Sequence, residues 1–377
     1  MIYIGLDVHQ KSTTICIQDD LGKQLLLEKC VTTFDGFRDK LSVWFKDHPA
    51  CPVGMEACSK AYITSGIIAE LGGEPHVYPA DEVASKTRSR KKKTDARDAQ
   101  DLCTNMRTGA LMREVSLPPD SMRKLRSLLK ARQLQVKIQT QVVNAAKALL
   151  REYGLEGSSG SMTTEAAWKV RLSQPMPKIV KTLFETCFSS FLLASEQVKE
   201  LMKHAAILSN TNPAFNIAQS IPGVGLVTGL ALAAHLFEIS RFKSGKKVIA
   251  YIGLCPSSYD SGERERKGRI TREGPSLLRA LLVECAQQAS RRKNPLNPYY
   301  RRYIVKHGVN KAKVAIAAKL CRIVHSLVKR QEYFSDKSLG VIWDKTKMCY
   351  VFDKSIKLEK QSQQGQQRQQ RSKQLAY

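Results

Sequence analysis

Lys93-Thr94-Asp95-Ala96-Arg97-Asp98-Ala99-Gln100-Asp101-Leu102 decides how the front of this chain is read. On a helix, Asp95 and Asp98 stand three residues apart and share a face. Two neighbouring carboxylates repel unless something positive sits between them, and hard oxygen ligands suit Mg2+. Immediately upstream, Lys86-Thr87-Arg88-Ser89-Arg90-Lys91-Lys92-Lys93 is a dense basic run suited to a phosphate backbone. Lys91, Lys92 and Lys93 lie nearest the acids. Acid pair plus basic run points to metal-dependent chemistry on nucleic acid. The plainer alternative is a helix start with Asp in its first turn, favoured by the helix dipole.

Composition favours the nucleic-acid reading. The 61 Lys and Arg against 34 Asp and Glu give a formal charge of +27 over 377 residues. Such an excess implies a polyanionic partner, DNA or RNA. The length allows two or three domains, and 42% hydrophobic residues suffice for real cores. None of the ten cysteines forms a CxxC pair, which speaks against a zinc ribbon. Several lie in apolar runs, such as Ile15-Cys16-Ile17, and are expected to be buried thiols in a reducing cytoplasm. The start, Met1-Ile2-Tyr3-Ile4-Gly5-Leu6-Asp7, does not look like a signal peptide. No apolar run approaches the length of a membrane span.

Residues 2–6 are β-prone and end at Asp7. Thr13-Thr14-Ile15-Cys16-Ile17, Gln24-Leu25-Leu26-Leu27-Glu28, Pro52-Val53-Gly54-Met55-Glu56 and His76-Val77-Tyr78 are further strand candidates. Phe34, Phe37, Leu41 and Phe45 have helical spacing, with Thr33 or Asp35 near the cap. A second helix runs from Ala61 to Leu71, closed by Gly72-Gly73. Strands first, then strand and helix in alternation, suggest a mixed sheet flanked by helices. Asp7 and Glu56 each end a strand, where α/β folds place ligands. They are therefore expected to join Asp95 and Asp98, giving four carboxylates that a metal would make tolerable.

Gly5-Leu6-Asp7-Val8-His9, Met55-Glu56-Ala57 and Lys93-Thr94-Asp95-Ala96-Arg97-Asp98-Ala99 resemble the Asp-Glu-Asp-Asp domain of the insertion sequence 110 transposase family. That domain is similar to RuvC, the Holliday-junction resolvase. The resemblance implies an α/β RNase H-like fold for residues 1–115, with Mg2+ held by Asp7, Glu56, Asp95 and Asp98. Piv-type DNA invertases belong to the same family.

Between residues 118 and 150, Leu125, Leu128, Leu129, Leu134, Val136, Ile138, Val142, Val143, Ala146 and Leu149 recur at helical spacing. This predicts a long amphipathic helix, with a coiled coil or dimer interface as one use of it. Gly154 to Ser161 is a candidate linker, and residues 177–208 return to helix. The helical region spans 116–208.

A second constellation begins at Ile217. Ser220-Ile221-Pro222-Gly223-Val224-Gly225 resembles a helix-hairpin-helix turn, in which Gly223 and Gly225 let backbone N–H groups approach a phosphate. An ordinary helix–helix turn is the alternative. From Ala250 to Gly274 the chain is rich in Gly, Ser and Arg and is expected to be a loop that needs a partner. A serine hydroxyl near Arg264, Arg266, Lys267, Arg269 and Arg272 is suited to meet a phosphodiester. No nearby His supports a hydrolase triad. From the residues alone Ser257, Ser258 and Ser261 are equal candidates.

Gly253-Leu254-Cys255-Pro256, Ser261-Gly262, Gly268-Arg269-Ile270-Thr271-Arg272-Glu273-Gly274 and Leu277-Leu278-Arg279-Ala280-Leu281-Leu282 resemble the carboxy-terminal transposase domain of the same family. The resemblance makes Ser261 the nucleophile of a mainly α domain over 209–332. Asp260 and Glu263 depart from the family pattern around that serine, so Ser258 stands as the fallback. Helices are expected over 276–292 and 311–331. The Arg291–Tyr303 stretch between them mixes cations and aromatics, which suits backbone contacts and base stacking or the inward packing of Tyr299 and Tyr303. Residues 333–377 form a basic, Gln-rich tail, partly disordered.

The resemblance implies a cytoplasmic, nucleoid-acting DNA transposase or recombinase. It would work on double-stranded donor and target DNA under a structured bridge RNA, through a 5′-phosphoserine link and as a tetramer. A junction-type nuclease, a guide-free invertase and a non-catalytic binding protein are the rival readings.

Overall fold

The computed structural model describes residues 1–87, 94–155, 162–209, 212–261, 264–344, 346 and 349–353. The chain divides into two compact units, Met1–Leu117 and Pro118–Tyr377. The expected linker beyond Leu155, the basic run at 88–93 and the tail from residue 354 lie outside the described residues.

In the first unit, three strands come first: β1 (Ile2–Val8), β2 (Ser12–Asp19) and β3 (Gln24–Val31). Then α1 (Phe34–Asp47), β4 (Pro52–Glu56), α2 (Ala61–Leu71), β5 (Glu74–Tyr78), α3 (Ala80–Thr87) and α4 (Asp95–Arg107) follow. The sheet order is β3-β2-β1-β4-β5. The β1–β2 and β2–β3 pairs are antiparallel, whereas β1–β4 and β4–β5 are parallel. The mixed sheet expected from the sequence is present.

Strand alternation sorts the side chains onto two faces. Ile4, Leu6, Ile15, Ile17, Val53 and Met55 are fully buried and form one core with Phe37 and Leu41 of α1. Each such side chain contributes about 1.5–3 kcal/mol. Thr33 caps α1, its hydroxyl accepting from the Gly36 N–H at 3.2 Å. The opposite face carries α4. Gln18 of β2 donates to Thr104 Oγ1 at 3.0 Å, and the Cys103 thiol donates to the Tyr3 carbonyl at 3.1 Å.

Gly5 makes that seat possible. A Cβ there would stand 2.3 Å from the Ala99 carbonyl oxygen and 2.7 Å from the Cys103 nitrogen. Its partner across β4 is Gly54, against which Met106 packs. Two neighbouring glycines give the helix backbone a flat floor.

The second unit is mainly helical. Two long helices, α5 (Asp120–Glu152) and α7 (Lys178–Ser209), flank the short α6 (Glu165–Leu172). Next come α8 (Pro213–Gln219), α9 (Leu226–His235), α10 (Gly245–Ile252), β6 (Pro256–Ser261) and β7 (Arg264–Ile270). The order ends with α11 (Ser276–Gln288), α12 (Asn297–Arg330), β8 (Val341–Asp344) and β9 (Cys349–Phe352). Helix α5 joins two cores. Its start places Met122, Leu125 and Leu129 among Phe215, Ile217 and Leu230. Its end places Val143, Ala146 and Leu150 against Trp168, Phe184 and Phe191.

Three expectations need correction. The Ala250–Gly274 stretch is not a loop: it ends α10 and then forms the antiparallel hairpin β6–β7, with Ser261 opposite Arg264. Polar composition hid a ladder that satisfies the backbone. Second, the helix expected from residue 311 begins at Asn297 and bends at Gly308, whose φ is 76°. Pro298 sits in its first turn, where the missing N–H is harmless. Third, the segment from 333 is not all tail, because β8 and β9 pair there. Among the described residues, no helix is long and apolar enough to cross a membrane, and the nine cysteines whose side chains are described are free.

Gly5→Ala is expected to lower stability by about 3 kcal/mol, since α4 must lift from β1. Gly66→Ala, within α2 and with nothing within 4 Å of its new Cβ, should stabilise by up to about 1 kcal/mol. Denaturant melts of the two variants will show these opposite signs.

Candidate active site

Thr94 starts α4 with extended backbone at φ −144°, its hydroxyl accepting from the Arg97 N–H. Its carbonyl accepts from the Asp98 N–H at 2.9 Å. Asp95 and Asp98 therefore occupy the first turn, where the helix dipole favours anions. Because Ala99 lies over Gly5, this turn comes down at the carboxyl end of β1, where Asp7 stands. Leu6 and Met55 are partners in the parallel β1–β4 pair, so Asp7 and Glu56 are the next residues of the two strands. Glu56 is exposed and ends β4 opposite Tyr78 of β5.

The structure brings Asp7 and Asp95 together through a residue that the motif contained but to which the sequence assigned no role. His9 Nε2 lies 3.1 Å from Asp7 Oδ2 and 3.6 Å from Asp95 Oδ1. One ligand atom from each of Asp7, His9 and Asp95 fits within 4.8 Å of the others. Period-two alternation already puts His9 on the face of Asp7, so the signal was there. Lys29 is the other addition: its Nζ holds Asp95 Oδ2 at 2.7 Å. Asp7 pairs with Thr14, and Thr14 with Lys29, so the three form one row across three strands. That row depends on register, which the sequence does not display.

The electrostatics fit a cation. Burial raises the Asp7 carboxyl above the usual carboxylate range, His9 opposes this, and Asp98 and Asp95 push it further up. Lys29 holds Asp95 below its usual value. Thr14 Oγ1, in the same row, is buried without a hydrogen-bond partner among the described residues. Clustered carboxylates with an orphaned hydroxyl beside them form a hard-oxygen donor set that suits a divalent ion.

In the second unit, Gly223 adopts φ 97°, a left-handed turn that favours glycine, and Gly225 caps α9. A cleft of about 450 Å³ opens beside them and is also lined by Arg291 and Lys293. Both side chains are exposed, with no carboxylate partner among the described residues. Of the two uses weighed for the nearby aromatics, inward packing is the one formed. Tyr300 is buried, Tyr299 donates to the Leu339 carbonyl at 2.6 Å, and Lys319 Nζ sits 3.6 Å from the Tyr299 ring centre.

Of the three candidate serines, Ser257 donates its hydroxyl to the Arg269 carbonyl at 3.0 Å, tying the hairpin together. Ser258 and Ser261 lie on β6 and Arg264, Arg266 and Lys267 on β7; their side chains, like Lys91, Lys92 and Lys93, are outside the described residues. Arg269 and Arg272 are exposed, and Arg272 has a left-handed φ of 60°.

Comparison with known proteins now gives this geometry a context. A transposase model for the DEDD type of insertion sequence 110 matches residues 4–155. A second, described as Transposase IS116/IS110/IS902 family, matches residues 216–301. The sheet with acids gathered where β1 ends and α4 begins is thus the DEDD domain of a transposase, which implies the RNase H-like fold. The transposase for insertion sequence element IS1111A of Coxiella burnetii is 27% identical over 354 residues, 88% of this chain and 90% of that protein. The transposase for IS1328 of Yersinia enterocolitica is 25% identical over 339 residues, covering 88% and 98% of the two chains. A probable family 20 transposase of Pseudomonas aeruginosa is 24% identical over 309 residues, 78% and 88%. This chain belongs to the insertion sequence 110 family of transposases.

Asp7→Asn removes a carboxylate whose raised pKa marks it as unfavourable when ionised. A raised folded-state value means a penalty that is present above that pKa and relieved as pH falls through it. At neutral pH the variant should therefore be more stable than the unsubstituted chain and melt at a higher temperature. The gain should shrink as the pH falls into the carboxylate range, which thermal melts across pH will test.

Proposed function

We propose that the protein cuts and rejoins DNA through a covalent 5′-phosphoserine intermediate on Ser261, with the acids of the first unit serving the same phosphorus. The observation that carries this reading is the joint occurrence, in family order, of an acid cluster at the β1–α4 junction and a second transposase segment containing Ser261.

Asp7, Glu56, Asp95 and Asp98 would hold a divalent cation, Mg2+ by resemblance to the family. When bound, such an ion supplies Lewis-acid polarisation of the scissile phosphate. Lys29 fixes the rotamer of Asp95, and Thr94 fixes the turn that carries Asp95 and Asp98. Ser261 Oγ forms a bond to phosphorus as the bond to the 3′ oxygen breaks, and the 3′ oxygen leaves as a hydroxyl. One phosphodiester is exchanged for another, so the strand can be resealed without ATP. The engagement of Ser257 with Arg269 supports a nucleophile further along β6, with Ser258 as the fallback.

Arg269 and Arg272, with Arg264, Arg266 and Lys267 on the hairpin, would neutralise the phosphodiester. Gly223 and Gly225 would present α9 to a backbone phosphate, flanked by Arg291 and Lys293. The family resemblance further implies double-stranded donor and target DNA, a bridge RNA guide and a tetramer acting on the nucleoid.

Incubating the full chain with DNA and mapping the adduct tests the chemistry. Ser261→Ala should abolish the adduct and lower cleavage by at least about 10³-fold, with Ser258→Ala far less affected. Cleavage retained without an adduct would instead make the acids a water-using nuclease. For the cleft, Arg291→Ala with Lys293→Ala should reduce the slope of log affinity against log salt by roughly 0.9 per lost phosphate contact. An unchanged slope would remove the cleft from the DNA path.

A further inference from the structure

The acid pocket contains a nitrogen donor that the four-carboxylate description omits. His9 is clamped by its backbone: its N–H donates to the Ser12 carbonyl at 3.0 Å, and Thr32 Oγ1 donates to the His9 carbonyl at 3.0 Å. Thr13 and Thr32 hydroxyls bond to each other at 2.9 Å, fixing that turn against β2. The imidazole is thus carried by a pinned backbone, although the ring itself is half exposed. Its Nε2 stands 3.1 Å from Asp7 Oδ2 and 3.6 Å from Asp95 Oδ1. Adjacent ligands on an octahedral ion with bonds of about 2.1 Å stand about 3.0 Å apart. The Nε2–Oδ2 separation is close to that edge, and the Asp95 separation needs only a small closure.

Lys29 supports the same geometry. By holding Asp95 Oδ2 at 2.7 Å it leaves Oδ1 as the atom turned to His9. Asp7, His9 and Asp95 then offer one atom each within 4.8 Å of one another, a mixed oxygen and nitrogen set. Mg2+ favours oxygen, demands near-ideal geometry and keeps much of its water; Mn2+ also suits carboxylates but, as a first-row transition ion, accepts one nitrogen donor among them at less cost.

We propose that His9 Nε2 is a direct ligand of the cation in this pocket and biases the site toward Mn2+ over Mg2+. The proposal rests on the pocket being a metal site, as the proposed function requires, and its test separates the two. Mn2+ is added to the full chain, and bound ion is counted by electron paramagnetic resonance. Pulsed measurements then look for 14N modulation from a coordinated imidazole.

In the unsubstituted chain the 14N signal should be present, and Asp7→Asn should abolish Mn2+ binding. His9→Ala should remove the 14N signal and weaken Mn2+ about 10-fold or more, while changing Mg2+ affinity, read by competition, by less than about 3-fold. His9→Asn provides a second variant with a polar side chain, expected to lose the 14N signal likewise. Asp7-dependent Mn2+ binding without 14N modulation would overturn the role of His9 and leave the acid site standing. An unchanged Mn2+ to Mg2+ ratio in His9→Ala, with its folded spectrum intact, would overturn the selectivity claim. If no Mn2+ binds in a way that depends on Asp7, the metal pocket itself falls, and the proposal with it.

Discussion

Helix α4 lies on β1 with its backbone almost touching the strand, and the acid site depends on that seat. The two elements keep step because their repeats match. Four residues of helix rise about 6.0 Å, and two residues of strand about 6.6 Å. Cys103 therefore sits on Tyr3, Ala99 on Gly5, and Asp95 reaches His9 and Asp7. A side chain at position 5 would break the series in its middle. The same stripe of α4 carries a thiol, a methyl group and a carboxylate, ordered from core to solvent, so one packing face also delivers the functional group.

Placing acids there opposes stability. Asp7 is raised by its burial and by both α4 aspartates, so the ionised pocket is a liability the fold accepts. Part of it is offset locally by His9, Lys29 and the α4 N-terminus. Lys29 and Asp95 are both well exposed, and solvent screening leaves such a pair little weight in stability. The main effect of Lys29 is on orientation: it fixes which oxygen of Asp95 turns inward. Cationic groups at the rim of the pocket thus offset part of the repulsion and orient the acids.

How far the sequence displayed this varies with the range of the interactions. The strands and α1 were legible because β-branched alternation and the spacing of Phe37, Leu41 and Phe45 are local signals. The long helices α5 and α7 were legible for the same reason, with boundaries within two residues of those expected. The β6–β7 hairpin was not, since Arg, Ser and Gly conceal a ladder whose partners are set by register. The first turns of α12 were hidden by Asn294-Pro295-Leu296-Asn297-Pro298, which reads as loop; the Asn294 side chain accepts from the Leu296 N–H just before the helix starts. In the site, Asp7, Asp95 and Asp98 stood out as an acid pattern. Lys29 did not, because only the Asp7–Thr14–Lys29 row brings it near.

The start of α12 shows how a mixed stretch is sorted once it becomes a helix. Tyr299, Tyr300 and Tyr303 turn toward the core while Arg301 and Arg302 remain exposed. Of the two readings the sequence left open, base stacking and inward packing, the structure takes the second, with aromatic packing beneath a cationic skin. Exposed cations such as these suit phosphate contacts, which carry affinity and register. Affinity from such a surface rises and falls with salt whatever the DNA sequence. At this stretch the rings therefore serve the fold, and the exposed Arg301 and Arg302 are left to meet a polyanion.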